Sequence, residues 1–316
     1  MTVNSASTVV TLDIGGTTIK GALVGADGRE LTRLDRDTGA AAGADEVGAR
    51  VRAVARELAV PGTVAVGLSV PGLVDTAAGI ARHAVNLGFR NTPLAALVAE
   101  EVGVPVVLEQ DCRAAAVAES EIGLGRDTRD LMVVVLGTGV AAGLIVDGRP
   151  LSGADGSAGE LGHLPVYPDG EDCACGQRGC LEVYASASGI ARRYAAAGGS
   201  HAGATAADIA SSLDSDPVAA TVWREAPETL GLALATATLL LDPALIVLAG
   251  GLTGAGDTLL RPVRARLQAA LAWRTAPAVA NSPLGGSAGR LGAAILAWRA
   301  AGYADVVPAA ELRDAV

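Results

Sequence analysis

An α/β fold in two lobes is what this sequence predicts, and three observations predict it. Strand and helix patterns alternate along the chain, a strand-glycine-strand hairpin occurs twice, and 316 residues exceed what one hydrophobic core usually serves. Half of the residues are apolar, yet only one is Phe and four are Tyr, so the core must be filled by Ala, Val and Leu on many strands and helices. Two lobes of unequal size imply a cleft between them.

Taken in order, TVVTLDI at 8–14 reads as a strand, GALVGA at 21–26 as its hairpin partner and 44–59 as an amphipathic helix. The run TVAVGLSV at 63–70 is a short buried strand, PLAALVAEEV at 93–102 a helix opened by proline, and VPVVLEQ at 104–110 another buried strand. A helix over 112–122 follows directly, and then LMVVVLG and VAAGLIV form a second hairpin around Thr138 and Gly139. From 186 to 241 the pattern is largely helical, ALIVLAGG at 244–251 returns to a buried strand ending in glycines, and a helix over 287–300 follows. No heptad, low-complexity tail or short-period repeat is present.

A formal charge of −10 repels phosphate backbones, and no locally basic module offsets it, so no nucleic-acid partner is expected. The apolar runs at 131–146 and 230–241 are shorter than the ~18–20 residues a bilayer span needs, and the N-terminal MTVNSASTVV lacks the pattern of a signal peptide. The expectation is a cytoplasmic protein with no membrane partner. Three of the four cysteines crowd into 173–180, which in a reducing compartment points to metal rather than disulfides.

The segment LDIGGTTIKGALV at 12–24 sets an acid at a strand end, then a Gly-Gly-Thr-Thr turn, then a second strand. Gly15 and Gly16 let phosphate oxygens approach the main chain, and Thr17 and Thr18 add hydroxyl donors. Asp13 is the candidate ligand for Mg²⁺ through water, and Lys20, the sole lysine, joins the candidate nucleotide-binding residues. An ordinary glycine-rich hairpin is the alternative reading. LGTG at 136–139 and LAGGL at 248–252 repeat the strand-then-glycine form, as two similar domains clamping a nucleotide would require, although LAGGL alone also reads as a strand-to-helix turn. These three segments resemble the phosphate hairpins and adenosine loop of the actin-like ATPase superfamily of sugar kinases. The resemblance implies that Thr138, Gly139, Gly250 and Gly251 meet the nucleotide, and that ATP with Mg²⁺ is the cofactor.

The densest stretch is GELGHLPVYPDGEDCACGQRGCLE at 159–182. One imidazole, His163, and three thiols, Cys173, Cys175 and Cys180, make a closed tetrahedral Zn²⁺ site supplied by a single loop, so the metal is structural. Three unrelated thiols beside a lone histidine is the alternative. The stretch resembles the signature of the ROK family (repressors, open reading frames and kinases): Gly-Glu-x-Gly-His followed by Cys-x-Cys-Gly-x-x-Gly-Cys-x-Glu. That resemblance runs through nearly the whole chain, with the hairpins, SVPGLVD at 69–75 and LAGGL in family order. It implies an α/β, two-lobed actin-like ATPase (ribonuclease H-like) fold with an interdomain cleft and a zinc-bound loop. It also implies sugar contacts from Glu160, His163, Glu182, Gly72 and Asn86, and a homodimer or tetramer. The expected small domain is 1–110 plus about 296–316, and the large domain 111–295.

Phosphoryl transfer needs alignment, charge neutralisation and a proton acceptor. Asp111, where a buried strand meets a helix, can supply the acceptor or cap the helix. The family resemblance favours the base, because ROK kinases read Glu-Asn-Asp there. This chain reads Glu109-Gln110-Asp111, so Gln110 stands where Asn contacts the sugar, and its added methylene points to a sugar that differs from glucose around C3 or C4. The expected activity is ATP-dependent phosphorylation of a hexose or amino-hexose at the 6-hydroxyl. Kinases for kanosamine or N-acetylmannosamine, and a non-catalytic sugar-binding regulator, are the competing readings. A DNA-binding repressor is not expected, since only twelve residues precede Asp13.

Overall fold

The computed structural model of the chain describes residue 4, residues 6–303 and residue 306. The expectation for the last segment, 296–316, therefore lies in part outside the described residues. The chain forms two compact units: Met1–Asp127 with Arg149–Ala158 and Ser287–Val316, and Thr128–Gly148 with Gly159–Gly286.

The first unit is built on a five-stranded sheet ordered β3-β2-β1-β4-β8, with β1 (Thr8–Ile14), β2 (Thr18–Gly25), β3 (Glu30–Asp37), β4 (Thr63–Val70) and β8 (Val106–Gln110). β1 runs antiparallel to β2 and parallel to β4. Because side chains alternate across a strand, β1 divides its residues between two cores. Val10, Leu12 and Ile14 pack with Val47, Val51 and Val54 of helix α1 (Ala44–Leu58) and Leu94 and Val98 of α2 (Leu94–Val102). Val9 packs with Ala294, Ala297 and Trp298 of α9 (Ala288–Ala300) on the other face. Asp13 has the parity of Val9, so the strand delivers its carboxylate to the α9 side. Gly67 of β4 lets α9 lie against the sheet, since a methyl group there would run into the Ala293 carbonyl. A small antiparallel sheet of β5 (Leu73–Asp75), β6 (Ile80–Ala84) and β7 (Phe89–Thr92) inserts between β4 and α2. Helix α3 (Asp111–Glu121) leaves β8 without an intervening loop.

The second unit carries β9 (Leu131–Leu136) and β10 (Val140–Val146), paired antiparallel, with Leu245–Ala249 parallel to β9 and Ala278–Asn281 parallel beyond it. Around them stand α4 (Leu181–Ala185), α5 (Ala187–Ala196), α6 (Ala206–Ser211), α7 (Pro217–Leu241) and α8 (Asp257–Ala270). Both hairpins expected around Gly15–Gly16 and Thr138–Gly139 are present. The first closes sooner than the apolar pattern indicated, with β2 starting at Thr18, because Gly15 donates its N–H to the Thr18 carbonyl at 2.9 Å. No described helix is long and apolar enough to cross a membrane.

Candidate active site

In the first unit the β1–β2 turn holds its shape by the Gly15 bond and by Thr38, whose amide reaches the Thr17 carbonyl at 3.0 Å and whose hydroxyl reaches the Gly15 carbonyl at 2.8 Å. The amides of Gly16 and Thr17 carry no hydrogen bond among the described residues, which leaves them as donors for an anion. Asn86 stands beside this turn, its Cβ at 3.4 Å from where a Gly16 side chain would begin. Asp13 follows from the strand parity above: it accepts the Ser69 hydroxyl at 2.7 Å. Burial pushes the Asp13 carboxyl up, and the Ser69 hydroxyl and the charges of Lys20 and Arg290 pull against that rise. A carboxylate held this way, partly desolvated beside a turn of open amides, suits a hydrated Mg²⁺ accompanying a polyphosphate.

The strand-to-helix junction settles one alternative. Gln110 caps α3, its Oε1 accepting the Arg113 amide at 2.8 Å, so the helix cap expected as the other role of Asp111 belongs to its neighbour. Asp111 instead occupies the first turn, half-buried, with Oδ1 accepting the Cys112 amide at 2.7 Å. Beneath it lies a pair that sequence reasoning passed over. Arg113 and Glu109 are 1% and 4% exposed at their side chains and meet at 2.7 Å. Glu109 also accepts the Thr76 hydroxyl at 3.0 Å, while Arg113 reaches the Gly156 carbonyl at 2.9 Å. An i,i+4 acid–base pair inside the apolar run VVLEQDCRAAAVA was the available signal. Gly72 turns the chain from β4 into β5 at φ +89°, where a side chain would collide with the His83 carbonyl, so its backbone role is fixed by the fold.

The second unit assembles the expected metal ligands. His163, Cys173, Cys175 and Cys180 present ligand atoms that all lie within 4.8 Å of one another. Sγ of Cys175 and Cys180 are 3.7 Å apart, and Cys173 Sγ lies 3.9 Å from His163 Nδ1. Ligands at about 2.0–2.3 Å from a tetrahedral ion sit about 3.3–3.8 Å from each other, so the donor set fits Zn²⁺ with no open position. Three thiols alone would resist this crowding. Burial and the neighbouring thiols push Cys180 up to about 12, and burial also raises Cys173. At Cys175 burial acts upward but the Gln177 amide and the other thiols outweigh it, lowering the exposed thiol. A bound cation is what would hold three thiolates together. With Nδ1 on the metal side, His163 turns Nε2 toward Glu160 Oε2 at 3.9 Å, and ligation at one nitrogen leaves the proton on the other.

The remaining expected residues of this unit gather at the second hairpin. Glu182 Oε2 accepts the Val140 amide at 2.9 Å, directly after Thr138 and Gly139. The loop carrying Glu160 joins β10 through the Ala142 amide and the Gly159 carbonyl at 2.7 Å. Gly250 ends the strand Leu245–Ala249 against Leu136, the last residue of β9, and Gly251 opens the short 3₁₀ turn that follows. The amides of Thr138 and Gly139, like those of the first turn, carry no hydrogen bond among the described residues. Each unit thus offers one strand-turn-strand whose turn amides are unbonded among the described residues.

Comparison with known proteins bears on this geometry. A glucokinase of Halalkalibacterium halodurans is 35% identical over 280 residues, covering 82% of this chain and 85% of the relative. An N-acetylmannosamine kinase of Citrobacter koseri is 36% identical over 199 residues, covering 63% of this chain and 67% of the relative. Among solved structures, a ROK family glucokinase from Streptomyces griseus, in complex with glucose and AMPPNP, superposes with a TM-score of 0.81 at 33% identity, covering 93% of this chain and all of that one. The ROK family profile matches residues 9–300, the span that holds both hairpins, the capped Asp111 junction and the metal-ligand cluster, and the chain is a member of the ROK family.

Proposed function

We propose that this protein transfers the γ-phosphoryl group of ATP to the 6-hydroxyl of a hexose, as a glucokinase does. The observation that carries the reading is the junction at β8 and α3: Gln110 caps the helix, and Asp111 follows it half-buried in the first turn, where its carboxylate would serve as general base. Asp111 would take the proton of the sugar hydroxyl as its oxygen attacks the γ-phosphorus, and ADP would leave. Gly15, Gly16, Thr17, Thr18, Thr138 and Gly139 would hold phosphates through main-chain amides and hydroxyls, and Gly250 and Gly251 would flank the adenosine. Lys20 adds a positive charge at the first hairpin. Asp13 would hold the Mg²⁺ that neutralises the polyphosphate. Zn²⁺ on His163, Cys173, Cys175 and Cys180 would supply fixation of the loop, leaving His163 Nε2–H, Glu160 and Glu182 to meet sugar hydroxyls. Gly72 and Asn86 complete the proposed sugar contacts. The named relatives act on glucose or N-acetylmannosamine, which supports a hexose-class substrate.

A second reading, an amino-sugar kinase acting on N-acetylmannosamine or kanosamine, rests on Gln110. One lone pair of its Oε1 is engaged in the cap, and its Nε2 would donate to a sugar oxygen from one bond further out than Asn. Coupled ADP release measured over glucose, N-acetylmannosamine and kanosamine tests both. A rate with any of these sugars well above the sugar-free rate supports the kinase, and the preferred one decides between the two readings; no stimulation by any of them would support the non-catalytic regulator instead. Should Gln110→Asn leave the order of sugars unchanged, the second reading loses its basis. The same reading extends to a homodimer or tetramer in the cytoplasm without nucleic-acid or membrane partners, which sedimentation velocity checks for assembly.

A further inference from the structure

The segment 182–188 is laced to the second phosphate hairpin at three points. The Val140 amide donates to Glu182 Oε2 at 2.9 Å, the Ala187 amide donates to the Gly137 carbonyl at 2.9 Å, and the Ser188 hydroxyl donates to the Thr138 carbonyl. Gly139 lies so close that a side chain there would begin 2.5 Å from the same Glu182 oxygen. Glu182 follows the candidate metal ligand Cys180 by two residues, and Cys180 is the residue from which α4 starts. The metal loop is anchored at the same place, with the Leu181 amide on the Leu164 carbonyl at 2.9 Å. A path of two residues therefore joins the Cys180 sulfur of the candidate metal cluster to a carboxylate that holds the turn carrying the unbonded amides of Thr138 and Gly139.

We infer that Glu182 is a positioning residue for the nucleotide: one carboxylate oxygen fixes the second phosphate hairpin, so that the metal site supports ATP binding as well as the sugar pocket. The inference rests on the kinase reading, which gives the hairpin its ligand. Its physical basis is pre-organisation. A turn of small residues loses conformational freedom when it closes on phosphate, and a charge-assisted hydrogen bond made beforehand removes part of that cost. Glu182 acts through the Val140 amide, and its other oxygen stays available for the sugar role proposed above.

Calorimetric titration of the metal-loaded, sugar-free protein with AMPPNP and Mg²⁺ tests the inference. Glu182→Ala is expected to weaken AMPPNP binding about tenfold, the scale of one lost hydrogen bond to a charged group, while keeping its metal. Glu182→Gln, whose Oε1 can still accept the Val140 amide, is expected to stay within about threefold of the wild type. Wild-type affinity in a metal-loaded Glu182→Ala overturns the inference while leaving the kinase reading standing, whereas a wild-type protein that binds no AMPPNP overturns both. A readout on the unaltered chain covers the case in which the alanine variant does not fold. Chelating the metal should speed hydrogen exchange at the Val140 amide about tenfold relative to the amides of β1, and unchanged relative protection of Val140 would contradict the bridge.

Discussion

Arg113 is buried at 1% side-chain exposure, and its charge is tolerated there only because Glu109 and two carbonyls surround it. Removing one partner leaves the other charge stranded, so Arg113→Ala should cost about 3–5 kcal/mol by chemical denaturation. Arg113→Met with Glu109→Gln should cost less than Arg113→Ala alone, because no uncompensated charge remains. A near-neutral Arg113→Ala would show that the pair does not brace the junction beneath Asp111. Single residues of the site were legible unevenly. The four metal ligands stood out because chemistry restricts their residue types and their spacing is short, whereas Asp111 was singled out as a base only through the resemblance to the ROK family. Glu109 and Arg113 did not stand out, since a buried ion pair looks in sequence like one more surface i,i+4 pair until the burial of the strand end and helix start that carry it is known. The division of labour between Gln110 and Asp111 was equally hidden, because glutamine is a rare cap and aspartate a common one.

At the scale of elements, the metal loop is the clearest case of structure imposed from outside the hydrophobic core. Around the cluster, Cys173, Cys180, Val183 and Tyr184 are packed as a small core of their own, with Val166 and Tyr167 at its edge. Binding free energy on the order of 10 kcal/mol or more from a closed zinc site would carry the rest. Purified protein should therefore contain about one zinc atom per chain by elemental analysis, and chelation should abolish sugar-stimulated ADP release while leaving most helix content by circular dichroism. A metal-free and fully active preparation would refute the site. Helix α7 offers a test of pH dependence. Asp216 caps it, accepting the Tyr194 and Ser200 hydroxyls and the Val218 and Ala219 amides; these bonds, that of Tyr194 foremost, lower its carboxyl from the ordinary 3.8 to about 2. A depressed acid stabilises the fold above its unfolded value and loses that contribution as pH falls. The wild type should accordingly unfold at higher temperature than Asp216→Asn at pH about 5, with the gap closing as pH falls from about 4 to about 2. The strands β1, β4 and β8 were legible as apolar runs between glycines and prolines. The strand β3 was not, because ELTRLDRD is mostly exposed and reads as a polar link, and α7 and α8 run through Pro227 and Pro262, residues that sequence reasoning takes as breaks.

For the whole molecule, the repeated hairpin announced the architecture: two units, each with an antiparallel pair whose turn amides are unbonded among the described residues. What the sequence could not convey is that residues 149–158 return to the first unit, since that depends on contacts such as the Gly156 carbonyl on Arg113, made across 43 positions of chain. The ROK family profile spans both units, and the central claim is that the carboxylate of Asp111 on α3 accepts the substrate proton. Steady-state kinetics of Asp111→Asn with the best sugar is the most direct test. The account predicts that kcat falls by about 10³-fold or more while the sugar KM stays within about threefold, since the amide keeps the shape and loses the base. Turnover near that of the wild type would contradict it.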